Sequence, residues 1–304
     1  MSLSSAVGTS VFYPTPLELL DIRSFSKSTL EDEMRPNLLK RAAVVSPSGN
    51  ITAVVFDQLL KSDRKALGDS IMGIWKSQRP DQEIEQCCFV TKPENPRAIG
   101  RVEMFGGEFC GNATRSVVWL LTEGKDYSGL IEVSGVSKPL AFEVKGGEVA
   151  VEMPLPPAGT TLVEPADEGT LVHLEGITHL VVTDPNPKQT PRELLSKLLK
   201  ANKYNLNSHP AVGVSYFNPT TGKAEFCVWV REVATIFDET ACGSGTCSIG
   251  IVLASKDKRS IEQDITQPSG QVIQTRTDYA PSGVTKSWIS GKVEVLYDGE
   301  YKLQ

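Results

Sequence analysis

Two cysteines in this chain are followed by the same pattern of small residues. Cys110-Gly111-Asn112-Ala113-Thr114-Arg115-Ser116 and Cys242-Gly243-Ser244-Gly245-Thr246-Cys247-Ser248 align on their cysteines, and Gly, Thr and Ser recur in register. Each segment runs on into apolar residues, so each cysteine is expected to open a helix. A helix start carries unpaired N–H groups and the positive end of the dipole. That setting lowers a cysteine pKa from about 8.5 into the ~3.5–7.5 range. The same N–H groups can bind a carboxylate, as helix starts bind phosphate. Gly111 and Asn112 on one side, and Gly243 and Ser244 on the other, leave the backbone open to close approach. Two such starts facing each other would clamp one carboxylate and leave a thiol on each face of its α-carbon. The chemistry this predicts is two-base inversion: Cys110 or Cys242, as thiolate, takes the α-proton, and the other, as thiol, delivers one to the opposite face. General acid–base assistance of this kind contributes roughly 10²–10⁴-fold.

Other chemistries find less support. A single cysteine at a glycine-rich helix start is ordinarily a small buried residue; the matched pair argues against that reading here. Cys87, Cys88, Cys227 and Cys247 are assigned to packing. Gly243-Ser244-Gly245 lacks the third glycine of a dinucleotide fingerprint, and no Walker lysine follows either glycine cluster. His173, His179 and His209 are far apart in the sequence and are read as core or surface residues, so no metal is expected. No lysine is singled out for a Schiff base, and no cofactor, pyridoxal phosphate included, is expected.

The 304 residues are about twice the ~150 of a typical domain. A formal net charge of −6 gives no basic footprint, so nucleic acid is not an expected partner. No apolar run approaches the ~18–20 residues of a membrane helix, and no membrane association is expected. No secretory leader is read at the start of the chain. The six cysteines are too sparse for a disulfide scaffold and lack zinc-site spacing. A reduced, cytoplasmic protein is expected, acting on a small-molecule amino acid; a homodimer is compatible with this reading.

The elements that must position the thiols read as follows. Residues 1–40 form an N-terminal extension with one short helix near 17–22. Strands are predicted at 42–45, 51–56, 87–91, 102–105, 130–133, 140–144 and 149–153, with a turn at 46–50 and a hairpin turn at Gly146-Gly147. Helices are predicted at 64–76 and from Cys110 to about 122. Pro154, Pro156 and Pro157 cannot continue a central strand, which puts a linker at 156–170. In the second half, strands are predicted at 179–182, 212–217, 224–230, 272–275 and 288–296, with helices at 192–200 and from Cys242 to about 255. The expected fold is α+β: two pseudo-symmetric lobes, 41–155 and 171–304, each a curved mixed sheet or barrel around a central helix. The active site would lie in the cleft between them, and the last strand could pack on the first lobe.

The segments Glu108-Phe109-Cys110-Gly111-Asn112-Ala113-Thr114 and Ala241-Cys242-Gly243-Ser244-Gly245-Thr246 resemble the two cysteine motifs of the diaminopimelate epimerase superfamily. That superfamily comprises cofactor-independent racemases and epimerases, together with proline racemases and phenazine-biosynthesis isomerases. The resemblance runs from about Arg41 to the C-terminus. The chain departs from diaminopimelate epimerase itself, having Arg101-Val102-Glu103-Met104-Phe105-Gly106-Gly107 before the first cysteine in place of Asn-x-Asp-Gly-Ser. Arg231–Glu239 likewise replaces Glu-Arg-Gly-Ala-Gly before the second. It is more similar to the histidine racemases of staphylopine-type metallophore biosynthesis, through Pro47-Ser48-Gly49-Asn50, Glu85-Gln86, both cysteine motifs and Glu239. That resemblance implies that Glu85 and Glu239 contact the substrate's amino group or side chain, and that Asn50 lines the pocket. The alternative for both glutamates is a surface position. The function expected is cofactor-independent racemisation or epimerisation of an amino acid, with histidine the leading substrate. The rivals are a diamino-acid epimerase, a double-bond isomerase of the phenazine or methylaconitate type, and a non-catalytic amino-acid-binding protein.

Overall fold

The computed structural model describes residues 40–56, 62–184, 187–232 and 234–301. The helix expected near 17–22 lies outside them. The first run of strands is β1 (Lys40–Pro47), β2 (Thr52–Val55), β3 (Gln86–Thr91), β4 (Ala98–Met104), β5 (Tyr127–Val133), β6 (Leu140–Lys145) and β7 (Glu148–Glu152). All four residues of β2 are buried, as a strand covered on both faces requires. β4 alternates strictly, with Ala98, Gly100, Val102 and Met104 inward. β6 and β7 meet at Gly146-Gly147, both at positive φ (58° and 81°), the conformation a two-residue hairpin turn demands.

The remaining strands are β8 (Val163–Ala166), β9 (Gly169–Leu174), β10 (Ile177–Val182), β11 (Ala211–Asn218), β12 (Lys223–Val230), β13 (Thr235–Glu239), β14 (Ile261–Thr266), β15 (Val272–Ala280) and β16 (Gly283–Tyr301). The helices are α1 (Arg64–Gln78), α2 (Gly111–Thr122), α3 (Pro191–Lys200) and α4 (Gly243–Asp257).

From β1 to β7 successive neighbours pair antiparallel, parallel, antiparallel, parallel, antiparallel, antiparallel. From β9 through β10, β11, β12, β14 and β15 to β16 the same order of pairings recurs. Each parallel step requires a crossover, and a helix supplies it: α1 and α2 in the first run, α3 and α4 in the second. The long strand β16 pairs with β15, then with β7 through Trp288–Lys292, then with β1 through Val293–Tyr301. Its pairing with both β7 and β1 closes the first run into a ring, and α2 runs against every strand of that ring. α4 packs on β9, β10, β11, β14, β15 and β16. It is buried without a break from Gly243 to Ile251, the signature of a helix covered on all sides.

The structure differs from the sequence reading at four places. β1 continues through Pro47, and the turn is confined to Ser48 and Gly49, both at positive φ. The stretch 156–170 carries strand β8; its Pro165 is tolerated because β8 is an edge, paired only with β9. β9, β13 and β14 are strands the sequence reading lacks; β14 (IEQDIT) buries only Ile261 and Ile265, and its charged residues mask the alternation. β15 and β16 extend well beyond 272–275 and 288–296. No helix among the described residues is long and apolar enough to cross a membrane.

Candidate active site

Cys110 and Cys242 are the N-cap residues of α2 and α4, in extended backbone conformation. Each sulfur accepts a hydrogen bond from the third backbone N–H of its helix, Ala113 N at 3.4 Å and Gly245 N at 3.3 Å. The thiol thus occupies the place usually taken by a Ser, Thr, Asn or Asp oxygen. Gly111 and Gly243 are required by packing beneath the helix starts. A Cβ on either would lie 2.9 or 2.6 Å from Cδ1 of the same residue, Ile289 of β16. One fully buried isoleucine therefore supports both helix starts.

The two starts are also joined directly. Asn112 Nδ2 donates to the carbonyl of Ala241 at 2.8 Å, and Asn112 Oδ1 accepts from Arg115 at 3.0 Å. Arg115 is fully buried and bonds otherwise to Ser48 Oγ; desolvation lowers its pKa to about 10. Behind Cys242, Gln267 Oε1 accepts from the Cys242 backbone N–H at 3.0 Å. Ser244 Oγ lies 3.5 Å from Cys242 Sγ and is held at 2.8 Å by His179 Nε2, whose Nδ1 contacts Ser215 Oγ at 3.0 Å. His179 is completely buried, and desolvation lowers its pKa to about 3, so the ring is neutral and orients the serine. His173 and His209 stack elsewhere, both on the Thr178 hydroxyl. No group of residues suited to a metal ion occurs among the described residues.

A cavity at the two helix starts is lined by Cys110, Gly111, Asn112, Glu239, Cys242, Gly243 and Ser244. Seven of the nine residues singled out from the sequence therefore meet at one place. Asn50 and Glu85 sit behind its wall instead of lining it. Asn50 is buried, donates to Glu85 at 2.8 Å and accepts from Gln86 Nε2 at 2.5 Å. Gln86 Oε1 in turn accepts from the Cys110 thiol at 3.0 Å. Glu85 also accepts from the Thr240 backbone N–H and hydroxyl, which ties this network to the approach to Cys242. The other lining residues are Gln86, Glu108, Phe109, Ile177, Ala211, Val228 and Val230. Gln86 and Glu108 flank motif residues, a signal the sequence did offer. The apolar wall comes from strand faces, and periodicity marks such faces as buried without saying against what.

The electrostatics correct one expectation. Helix starts were expected to lower the cysteine pKa values; burial instead pushes Cys110 up to about 12 and Cys242 well above its ordinary value. The backbone N–H groups do favour the thiolates, but removal from water outweighs them, and Glu239 beside both thiols adds to the rise. Burial raises Glu239 itself to about 8, against its hydrogen bond with Cys242. Glu85 and Glu108 are raised by burial as well. Cys87, Cys88, Cys227 and Cys247 are buried core residues, as the packing assignment expected.

The model of the histidine racemase CntK N-terminal domain family matches residues 43–301. A histidine racemase of Fusobacterium nucleatum subsp. nucleatum is 29% identical over 270 residues, covering 84% of this chain and 94% of that protein. A histidine racemase of Staphylococcus aureus is 24% identical over 266 residues, with the same coverage of 84% and 94%. Among solved structures, a hydroxyproline epimerase from Agrobacterium vitis superposes with a TM-score of 0.57 at 12% identity, covering 87% of this chain and 93% of that one. A phenazine biosynthesis protein PhzF family member from Enterococcus faecalis gives 0.54 at 14%, covering 88% and all of that chain. At such identities the structural likeness speaks to the fold: a mixed sheet and barrel with few helices, of the kind shared by the proline racemase and PhzF proteins. With a match that spans both cysteine helices and the strand beneath them, the chain belongs to the histidine racemase CntK N-terminal domain family, and it is an isomerase.

Proposed function

We propose that this protein is a cofactor-independent amino-acid racemase, with histidine its leading substrate, and that Cys110 and Cys242 are its acid/base pair. The observation that carries this reading is that the two helix-capping thiols line one cavity, bound to each other's surroundings through Asn112 and Ala241. The substrate's carboxylate would lie between the two helix starts, facing the backbone N–H groups beyond Gly111 and Gly243. Its α-carbon would then stand between the sulfurs. Glu239 would take the α-ammonium.

In the free site burial keeps both thiols protonated. A bound ammonium brings the compensating positive charge and favours one thiolate. A thiolate of raised pKa is scarce but a strong base, which suits it to a weakly acidic C–H bond. The thiolate takes the α-proton, the helix dipoles and N–H groups stabilise the planar carbanion, and the other thiol protonates the opposite face. The enzyme form with one thiolate and one thiol is recovered with the two interchanged. Asn50, Glu85 and Gln86 act behind this step, holding Cys110.

The recurring order of strand pairings supports a duplicated architecture, two pseudo-symmetric lobes at about 41–155 and 171–304 that each contribute one cysteine helix. Six free thiols, with no disulfide among the described residues, favour a reducing, cytoplasmic setting.

The test is incubation of the reduced protein, without added cofactor, with a panel of L-amino acids, followed by chiral chromatography. Formation of D-histidine, lost in both Cys110→Ser and Cys242→Ser, is the expected result. Inversion of no amino acid in the panel would overturn the reading.

A further inference from the structure

Glu108 lines the cavity, two residues before Cys110, and takes no part in the proton transfer derived above. The backbone N–H groups of Gly106 and of Glu108 itself lie near its carboxyl and favour the ionised form, yet its Oε2 is buried and accepts no hydrogen bond. Those N–H groups do not satisfy Oε2, and a buried oxygen without a donor is costly, so this one atom has room for a further donor. The surroundings say what kind of donor fits. Gly106 brings Glu108 and Val230 together: a Cβ on Gly106 would lie 2.6 Å from Glu108 Oε2 and 3.4 Å from Val230 Cγ1. Val230 belongs to an apolar wall continued by Ile177, Ala211 and Val228. The cavity lining contains two carboxyl groups, Glu108 and Glu239, and no Lys, Arg or His. Glu239 stands beside Cys242 and, in the reading above, receives the α-ammonium. The second carboxyl is then left for the substrate's side chain.

We propose that Glu108 is the specificity-determining residue of this site, accepting the N–H of a flat, nitrogen-bearing side chain that lies along the Val230 wall. The inference rests on the racemase reading and deepens it: the substrate is an amino acid whose side chain has apolar faces and an N–H edge, which describes imidazole. A site built to receive an N–H discriminates strongly against an isostere without one, because its own polar group is then left unpaired. Leucine or methionine would cover the wall and leave Glu108 without its donor. Lysine would supply the donor but no flat face.

The test separates binding from turnover by using two carboxylic acids of the same shape, 3-(imidazol-4-yl)propionate and 3-phenylpropionate, neither of which has an α-amino group. Their dissociation constants are measured by calorimetry for the wild type, Glu108→Ala and the isosteric Glu108→Gln. The wild type should prefer the imidazole acid by at least about tenfold, the worth of a hydrogen bond to a charged group. In Glu108→Ala the preference should fall below about threefold, with Glu108→Gln between them. Because the readout is a ratio of two ligands within one protein, a general loss of stability moves both constants together and leaves it unchanged. A wild type without preference, or a preference that survives in both variants, would overturn the inference. Either result is independent of the amino-acid panel above, where inversion of an apolar amino acid would keep the racemase and discard this role for Glu108.

Discussion

Asn112 Nδ2 hydrogen bonds the carbonyl of Ala241 at 2.8 Å, so the residue two positions after the first cysteine is fastened to the residue just before the second. The contact spans 129 positions of the chain and is almost wholly buried. It fixes the separation of the two helix starts, the quantity on which a proton relay between them depends. Arg115 holds the other end of the Asn112 amide and so fixes which way it points.

Replacing Asn112 by Ala removes both bonds and leaves Arg115 short of a partner. Chemical denaturation should show a loss of about 1–3 kcal/mol, and turnover should fall more than tenfold while the protein remains folded. A turnover equal to the wild type's would mean that the Asn112–Ala241 tie does not set the geometry of the site.

Cys110 is the only partly exposed cysteine of the six; the other five are buried. Iodoacetamide should therefore modify Cys110 first, faster as the pH rises toward its raised pKa. One equivalent should abolish activity, and L-histidine should protect. Peptide mass spectrometry identifies the site; modification of Cys247 or Cys227 ahead of Cys110 would contradict the cavity as described.

Glu239 gives stability a pH dependence with a definite sign. Its unfolded carboxyl loses its proton near 4.5, while the folded one keeps it to about 8. Between those values the folded state binds more protons, so this contribution is complete below about pH 4.5 and is lost as the pH rises through about 8. Melting temperatures measured across that window should decline more steeply for the wild type than for Glu239→Gln. Parallel slopes would mean that the folded carboxyl titrates like the unfolded one and that burial does not raise it.

Ile289 packs beneath both Gly111 and Gly243. Its truncation to Ala should cost about 2–5 kcal/mol, the range for a buried aliphatic residue, and should reduce turnover because neither helix start keeps its support. Denaturant midpoints and initial rates check the two effects separately. A loss below about 1 kcal/mol would show that the site collapses around the gap without harm.

Much of this site could be read from the chain. The repeated Cys-Gly segments located both helix starts to the residue, because a cap is a local event governed by a few neighbouring side chains. The strands rich in Val and Ala, such as β1 and β2, were legible for the same reason. What escaped were features set by distant partners. β14 and much of β16 are polar strands that exist because β12, β15, β7 and β1 supply their hydrogen bonds. β8 was hidden by its edge position, where a proline is allowed. The cysteine pKa values went the other way from expectation because the helix dipole is a local property, whereas burial depends on the whole fold. Likeness of sequence places Asn50 and Glu85 near the site; the structure sets them one layer back, with Asn50 bonded to both Glu85 and Gln86.

The central claim, proton transfer by two thiols on opposite faces, is tested most directly by following isotope during the first few per cent of L-histidine conversion in D2O. The account predicts that the D-histidine formed carries α-deuterium, because its proton comes from the solvent-equilibrated second thiol, while recovered L-histidine keeps its protium. D-Histidine that retains the original protium would point to a single base serving both faces and would contradict the account.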